Sequence, residues 1–136
     1  MGTRCRAQWQ HLRRPRGWLC ACVLGSVVIL TRQPRRFRRV GILSNDSLEM
    51  ARARRTKFGF DELFSPVFIS AELGVAKPDR RIFEHVVQKI QLMPAECVFI
   101  DNRQDNVDGA AAVGMRGILF ENAEQLSSDL VELGLL

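Results

Sequence analysis

From residue 40 to the end, apolar and polar positions follow two regular patterns. Val40-Gly-Ile-Leu-Ser44, Cys97-Val-Phe-Ile100 and Gly117-Ile-Leu-Phe120 are short apolar runs, the pattern of buried parallel strands. Pro66–Ser70 reads as a further short strand, with the proline acceptable only at its start. Between them lie helical patterns. One runs from Ser47 to Phe58 and stops at Gly59, since glycine commonly follows a helix end. A second runs from Asp79 to Leu92 and gathers Ile82, Phe83, Val86, Val87 and Ile90 on one face. A small-residue helix covers Gly109 to Gly114, and a last helix runs from Ala123 to Leu133 behind Asn122 as its cap. Phe60–Phe64 and Ala71–Lys77, which turns on Gly74, read as loops. Strand and helix alternate four times, which predicts an α/β fold: a three-layer, doubly wound parallel sheet.

Residues 1–38 break this rhythm and read as a separate basic and apolar segment ahead of a core at 39–136. Its apolar run, Trp18 to Leu30, has thirteen residues, short of the roughly 20 that a spanning helix needs. The arginine-rich lead imitates a secretory signal, but no small-x-small cleavage site follows Leu30. In a third reading Val23 to Leu30 is a strand, since Val and Ile dominate it. No stable membrane insertion is expected, although a membrane-associated protein using residues 13–38 is carried as an alternative.

Charge divides at nearly the same place. Residues 1–45 hold ten Arg and no acid, whereas residues 46–136 hold ten Lys plus Arg and all fifteen acids. Such asymmetry suggests a basic tail for nucleic acid or membrane. Aromatic interleaving is thin, with only Trp9, Trp18 and Phe37 in the segment, so no nucleic-acid partner is expected. Cysteine points away from a disulfide framework. Cys20-Ala-Cys22 is not the usual zinc spacing, and Cys97 sits in a core strand as a small hydrophobe. A reducing, cytoplasmic setting fits.

Candidate chemistry collects at strand ends, where open α/β sheets bind ligands. Asp101 stands where the Cys97 strand runs out, and Asp105 and Asp108 follow it. Asp101 either holds a hard cation such as Mg²⁺, which takes oxygen ligands and few carboxylates, or caps the next helix. Ser44 ends the first regular strand, ahead of Asn45 and Asp46, and Lys77 lies in the loop before the second helix. Taken singly, Ser44 is a turn residue and Lys77 a solvated lysine. Taken together, a hydroxyl, an ammonium and a carboxylate on one sheet edge suit a phosphate ester bound with a metal ion.

These residues carry a resemblance. Ile42-Leu-Ser44-Asn45-Asp46, Gly74-Val-Ala-Lys77-Pro78-Asp79 and Phe99-Ile-Asp101-Asn102-Arg-Gln-Asp105-Asn106 resemble, in order and spacing, the second, third and fourth motifs of the haloacid dehalogenase-like (HAD) hydrolases. The resemblance implies a Rossmann-like core and a Mg²⁺-dependent phosphatase acting on a small phosphorylated metabolite. It casts Ser44, Asn45 and Lys77 as phosphate-binding, Lys77 also as the catalytic lysine, and Asp101 as a metal ligand. Asp105 supplies further charge, because Asn102 stands where many relatives have a second acid. A haloacid dehalogenase-type hydrolase and a non-catalytic phosphate- and Mg²⁺-binding remnant are the alternatives.

The family's first motif, Asp-x-Asp-x-Thr, has no counterpart, since no acid precedes Asp46. Its first Asp is the nucleophile that forms the covalent intermediate. The expectation is therefore an incomplete core in a truncated or degenerate copy, inactive as given. In the family the nucleophile strand lies between those carrying the second and fourth motifs. Val23–Leu30 is the candidate to fill that gap. Against it, the linker Thr31–Arg39 is shorter than the dozen or more residues a parallel crossover needs.

Overall fold

A computed structural model describes residues 26–32 and 37–135. Its centre is one five-stranded sheet built from β1 (Ser26–Arg32), β2 (Phe37–Ser44), β3 (Val67–Ile69), β4 (Cys97–Asp101) and β5 (Arg116–Leu119), in the order β3-β2-β1-β4-β5. The helices are α1 (Leu48–Phe58), α2 (Phe60–Leu63), α3 (Ser70–Leu73), α4 (Arg80–Ile90), α5 (Gln104–Ala112) and α6 (Ala123–Glu132).

Side chains alternate across a strand, and that alternation makes two cores. Ile42, Val98, Ile100 and Ile118 face one layer and pack with Phe60, Phe64, Leu126 and Leu130. Leu43, Cys97 and Phe99 face the other, against Ile82, Phe83, Val86 and Val87 of α4 and Ala110 of α5. Phe83 meets Phe99 edge-on at 5.1 Å. Burying each such side chain contributes about 1.5–3 kcal/mol, so the apolar stripe of α4 is what holds that helix on the sheet. β4 is buried along its whole length, as its continuous apolar run requires. The three-layer α/β architecture is the one the pattern predicts.

One strand departs from it. β1 does fill the slot between β2 and β4, but it runs antiparallel to both, pairing Val27 with Ile42 and Ile100, and Ile29 with Val40 and Val98. The β2–β3 and β4–β5 pairs are parallel. The sheet is therefore mixed rather than wholly parallel. The short linker is the physical reason. Four residues, 33–36, separate β1 from β2; an antiparallel hairpin needs only two to five, whereas a parallel return needs a crossover. The boundary expected between residues 38 and 39 falls inside β2. Residues 1–25 lie outside the described residues.

Several ends differ by a residue or two. Ser47, Asp79 and Asn122 each cap a helix with a side-chain oxygen, and Gly59 closes α1 at φ 63°. Parts of the two expected loops form the single-turn helices α2 and α3. Among the described residues no helix is long and apolar enough to cross a membrane.

Candidate functional site

Ser44 and Asp101 are the last residues of β2 and β4, two strands that run parallel to one another on either side of β1. Lys77 reaches the same edge from the loop between α3 and α4. All three side chains are buried, although each is polar. Burying polar groups is costly unless they are paired, and here they are. The Lys77 ammonium donates to the Leu43 carbonyl at 2.9 Å and to Asp101 Oδ2 at 3.0 Å. The Phe99 ring lies 5.7 Å from the same nitrogen. Burial pulls the Lys77 pKa below the ordinary lysine value, and the neighbouring Asp101 carboxylate partly offsets that pull.

Asp101 collects nitrogen donors on both oxygens. Oδ2 also accepts from Asn106 Nδ2 at 2.9 Å, and Oδ1 accepts from the Arg103 backbone N–H at 2.9 Å. It does not cap the following helix, because the N-cap position of α5 belongs to Arg103. Asp105 turns outward, and its carboxylate is forked by the Arg103 guanidinium at 3.1 and 2.7 Å. That pairing holds the Asp105 pKa below the usual carboxylate value. Helix phase explains the divergence. Val107 and Ala110 set the buried face of α5; Asn106 lies four residues before Ala110 and points inward, and Asp105 falls off that face.

Asn45 joins the site through the lysine loop. Its carboxamide spans the Lys77 backbone, donating to the carbonyl at 2.9 Å and accepting from the N–H at 2.9 Å. It clamps the lysine loop to the end of β2. The loop is pressed from its other side by α5, where Gly109 leaves no room for a side chain. A Cβ there would stand 2.7 Å from the Pro78 carbonyl oxygen and 2.8 Å from the Phe83 ring. Asn45 and Gly109 thus fix where the ammonium sits.

Ser44 is also engaged. Its Oγ donates to Asp46 Oδ2 at 2.6 Å, and Arg54 of α1 reaches the same oxygen at 3.0 Å. Asp46, Arg54 and Asn106 had no role in the reading of the sequence. Asn106 was findable from the apolar phase of its helix. The Asp46–Arg54 pair was not, since it joins a strand end to the middle of α1 and no local pattern marks it.

Mg²⁺ demands near-octahedral oxygen coordination. Among the described residues no group of three or more His, Cys, Asp or Glu side chains could hold a metal ion. Asp101 already faces an ammonium, Asp46 is paired with Arg54, and Asp105 is spent on Arg103. The donors described here do not by themselves fit the metal that the resemblance implies.

Comparison with known proteins adds the relationship. Residues 27–114 match the family described as haloacid dehalogenase-like hydrolase. Flavin mononucleotide hydrolase 1 of Arabidopsis thaliana is 39% identical over 79 residues, which are 58% of this chain and 32% of that protein. A phosphatase of Mycobacterium tuberculosis is 33% identical over 98 residues, 71% of this chain and 45% of the relative. The chain thus spans less than half the length of these curated relatives. A solved structure of an uncharacterized protein from Corynebacterium glutamicum superposes with a TM-score of 0.59 at 32% identity, covering 68% of each chain. The match takes in β1, β2, β4 and the loops between them, including Ser44, Lys77 and Asp101, and the chain belongs to the haloacid dehalogenase-like hydrolases.

Proposed function

We propose that this chain carries the phosphate-recognition half of a HAD-like phosphatase site and does not turn over phosphate esters by itself. The observation that carries the reading is the convergence of Ser44, Lys77 and Asp101 on one sheet edge, with the ammonium buried and held from two sides. A positive charge in such a place acts at an effective dielectric far below that of water, where a charge pair at 4 Å is worth about 4 kcal/mol rather than about 1. Lys77 meets the anionic phosphoryl oxygens, the Ser44 hydroxyl lies at the same edge, and Asn45 keeps the lysine loop in register. Asp101 holds the ammonium in place. The phosphatases and the flavin mononucleotide hydrolase among the relatives favour a small phosphorylated metabolite as the ligand.

The second half of the reaction has no carrier. No acid stands before Asp46 in the sequence, and the slot that holds the nucleophile strand in the family is taken by β1. No step through a metal ion is assigned, because the donors do not suit one. The test pairs two measurements. Aryl phosphate hydrolysis by the purified chain should not exceed that of a mock preparation, and inorganic phosphate should shift the amide resonances of Asn45, Lys77 and Asp101. Hydrolysis that Asp101→Ala abolishes would overturn the first half of the reading, and an absence of shifts the second.

A further inference from the structure

Ser44 does not meet a ligand as an uncommitted hydroxyl. A hydroxyl has one proton and two lone pairs, and a carboxylate has no proton to give. At 2.6 Å from Asp46 Oδ2, the Ser44 oxygen is therefore the donor. A hydrogen bond of this charged kind is about twice as strong as a neutral one. The acceptor is well fixed. The Asp46 side chain is 6% exposed and ion-paired to Arg54. Its backbone is pinned to Ser70 of α3, whose Oγ accepts from the Asp46 N–H at 3.1 Å and donates to the Asp46 carbonyl at 3.2 Å. The charged groups facing this carboxylate are Arg54 from α1 and, through space, Lys77 from the loop before α4.

We propose that Asp46 makes Ser44 a hydrogen-bond acceptor toward the ligand, so that the site selects a protonated phosphoryl group over a fully ionised tetrahedral anion. Hydrogen phosphate, or the monoanion of a phosphate monoester, brings a P–OH that donates to the Ser44 lone pairs. Sulfate brings only acceptors and sets oxygen against oxygen. This rests on reading the edge as a phosphate site and narrows it to one ionic form, with Asp46 as a specificity-determining residue that acts through Ser44. Leaving a buried acceptor without a donor costs enough to separate the two anions by about tenfold or more.

The test is calorimetric titration of the full chain with inorganic phosphate and with sulfate at matched ionic strength. Phosphate should bind at least about tenfold tighter. Methyl phosphate, which loses its only P–OH in its second ionisation, should bind more tightly as the pH falls through that ionisation, while sulfate shows no matching gain. In Asp46→Asn the carboxamide can donate to Ser44 and free its proton, and the preference should shrink to within about twofold. Equal binding of the two anions by the native chain overturns the proposal and leaves the phosphate site standing. So does a preference that persists undiminished in folded Asp46→Asn. If that variant does not fold, the native pH series decides, and a methyl phosphate curve parallel to the sulfate curve overturns it. If neither anion binds, the reading of the edge as a phosphate site fails, and this proposal with it.

Discussion

β1 and β4 lie side by side at the centre of the sheet, and both are rich in Val, Ile or other strand-forming residues. Only β4 brings its carboxyl end to the edge where Ser44 and Lys77 gather, and there it places Asp101. β1 runs the other way. Its carboxyl end, Arg32, pairs with Phe37 at the far end of the sheet, and its amino end, Ser26, pairs with Leu43 at the site edge. The contrast separates two requirements that usually travel together. An apolar run with β propensity suffices to occupy a central slot and satisfy both neighbours' ladders. Presenting a catalytic side chain beyond a strand's carboxyl end also requires direction. β1 meets the first requirement and not the second.

The largest expected effect comes from breaking the chemistry-bearing strand at its end. Lys77→Met leaves the Asp101 carboxylate, with 3% of its side chain exposed, without the ammonium that compensates it. Removing one partner of a buried ion pair costs about 3–5 kcal/mol, against a total of about 5–15 kcal/mol for a typical domain. The urea midpoint should fall by a corresponding share, and phosphate binding should vanish. The double variant Lys77→Met/Asp101→Leu should recover most of the stability but none of the binding. Recovery of neither would mean that the pair does more than compensate itself.

The matching perturbation on β1 is backbone rather than charge. Val28 pairs with Gly41 on one side and Phe99 on the other. Proline there removes a ladder donor from a strand flanked on both sides, where it is not tolerated. Val28→Pro should destabilise by about 1–3 kcal/mol, the cost of leaving a buried ladder group without its partner, less than the loss expected for Lys77. Hydrogen exchange in the native chain checks the premise directly: Val27 to Leu30 should be protected together with Val98 to Ile100. Fast exchange of the first set beside slow exchange of the second would show that β1 is not a working member of the sheet.

The contrast also explains what could be read from the sequence. Ser44 and Asp101 were legible because each ends an apolar run, and Lys77 because it closes the loop that leads into the second helix. The place of β1 was legible from its Val and Ile content. Its direction was not, because an apolar run looks the same read either way. The length of the linker carries the direction, since four residues between β1 and β2 suit a hairpin and not a parallel crossover. The bond from the Asn45 side chain to the Lys77 backbone, 32 residues away, is a pairing that no local pattern encodes. The apolar positions of α5 point Asp105 outward, where the further charge that the resemblance gives it is met by Arg103.

The smallest effect probes the other end of the β1–β4 seam. Cys97 begins β4 and pairs in register with Leu30, so β1 covers the edge on which it lies. Its side chain is fully buried, with Sγ 3.6 Å from the Met93 carbonyl oxygen. Burial, helped by the nearby charge of Glu96, pushes its pKa up from 9.0 to about 11. The thiolate is the nucleophile, so Cys97 should resist alkylation near neutral pH while the native chain stays folded. The linkage has a definite sign. The unfolded thiol ionises from about pH 9, while the folded one holds its proton until about pH 11. Between those values the folded state binds more protons, so this group's contribution to stability is complete below pH 9 and is lost as the pH rises toward 11. Stability measured across that window should therefore fall less steeply in Cys97→Ala than in the native chain, after allowing for that variant's lower starting value. If β1 is what seals the seam, Val28→Pro should expose Cys97 to alkylation well below pH 9, read from the mass of the peptide that contains it. Alkylation unchanged by Val28→Pro would place the protection in the α4 layer alone and leave β1 no part in it.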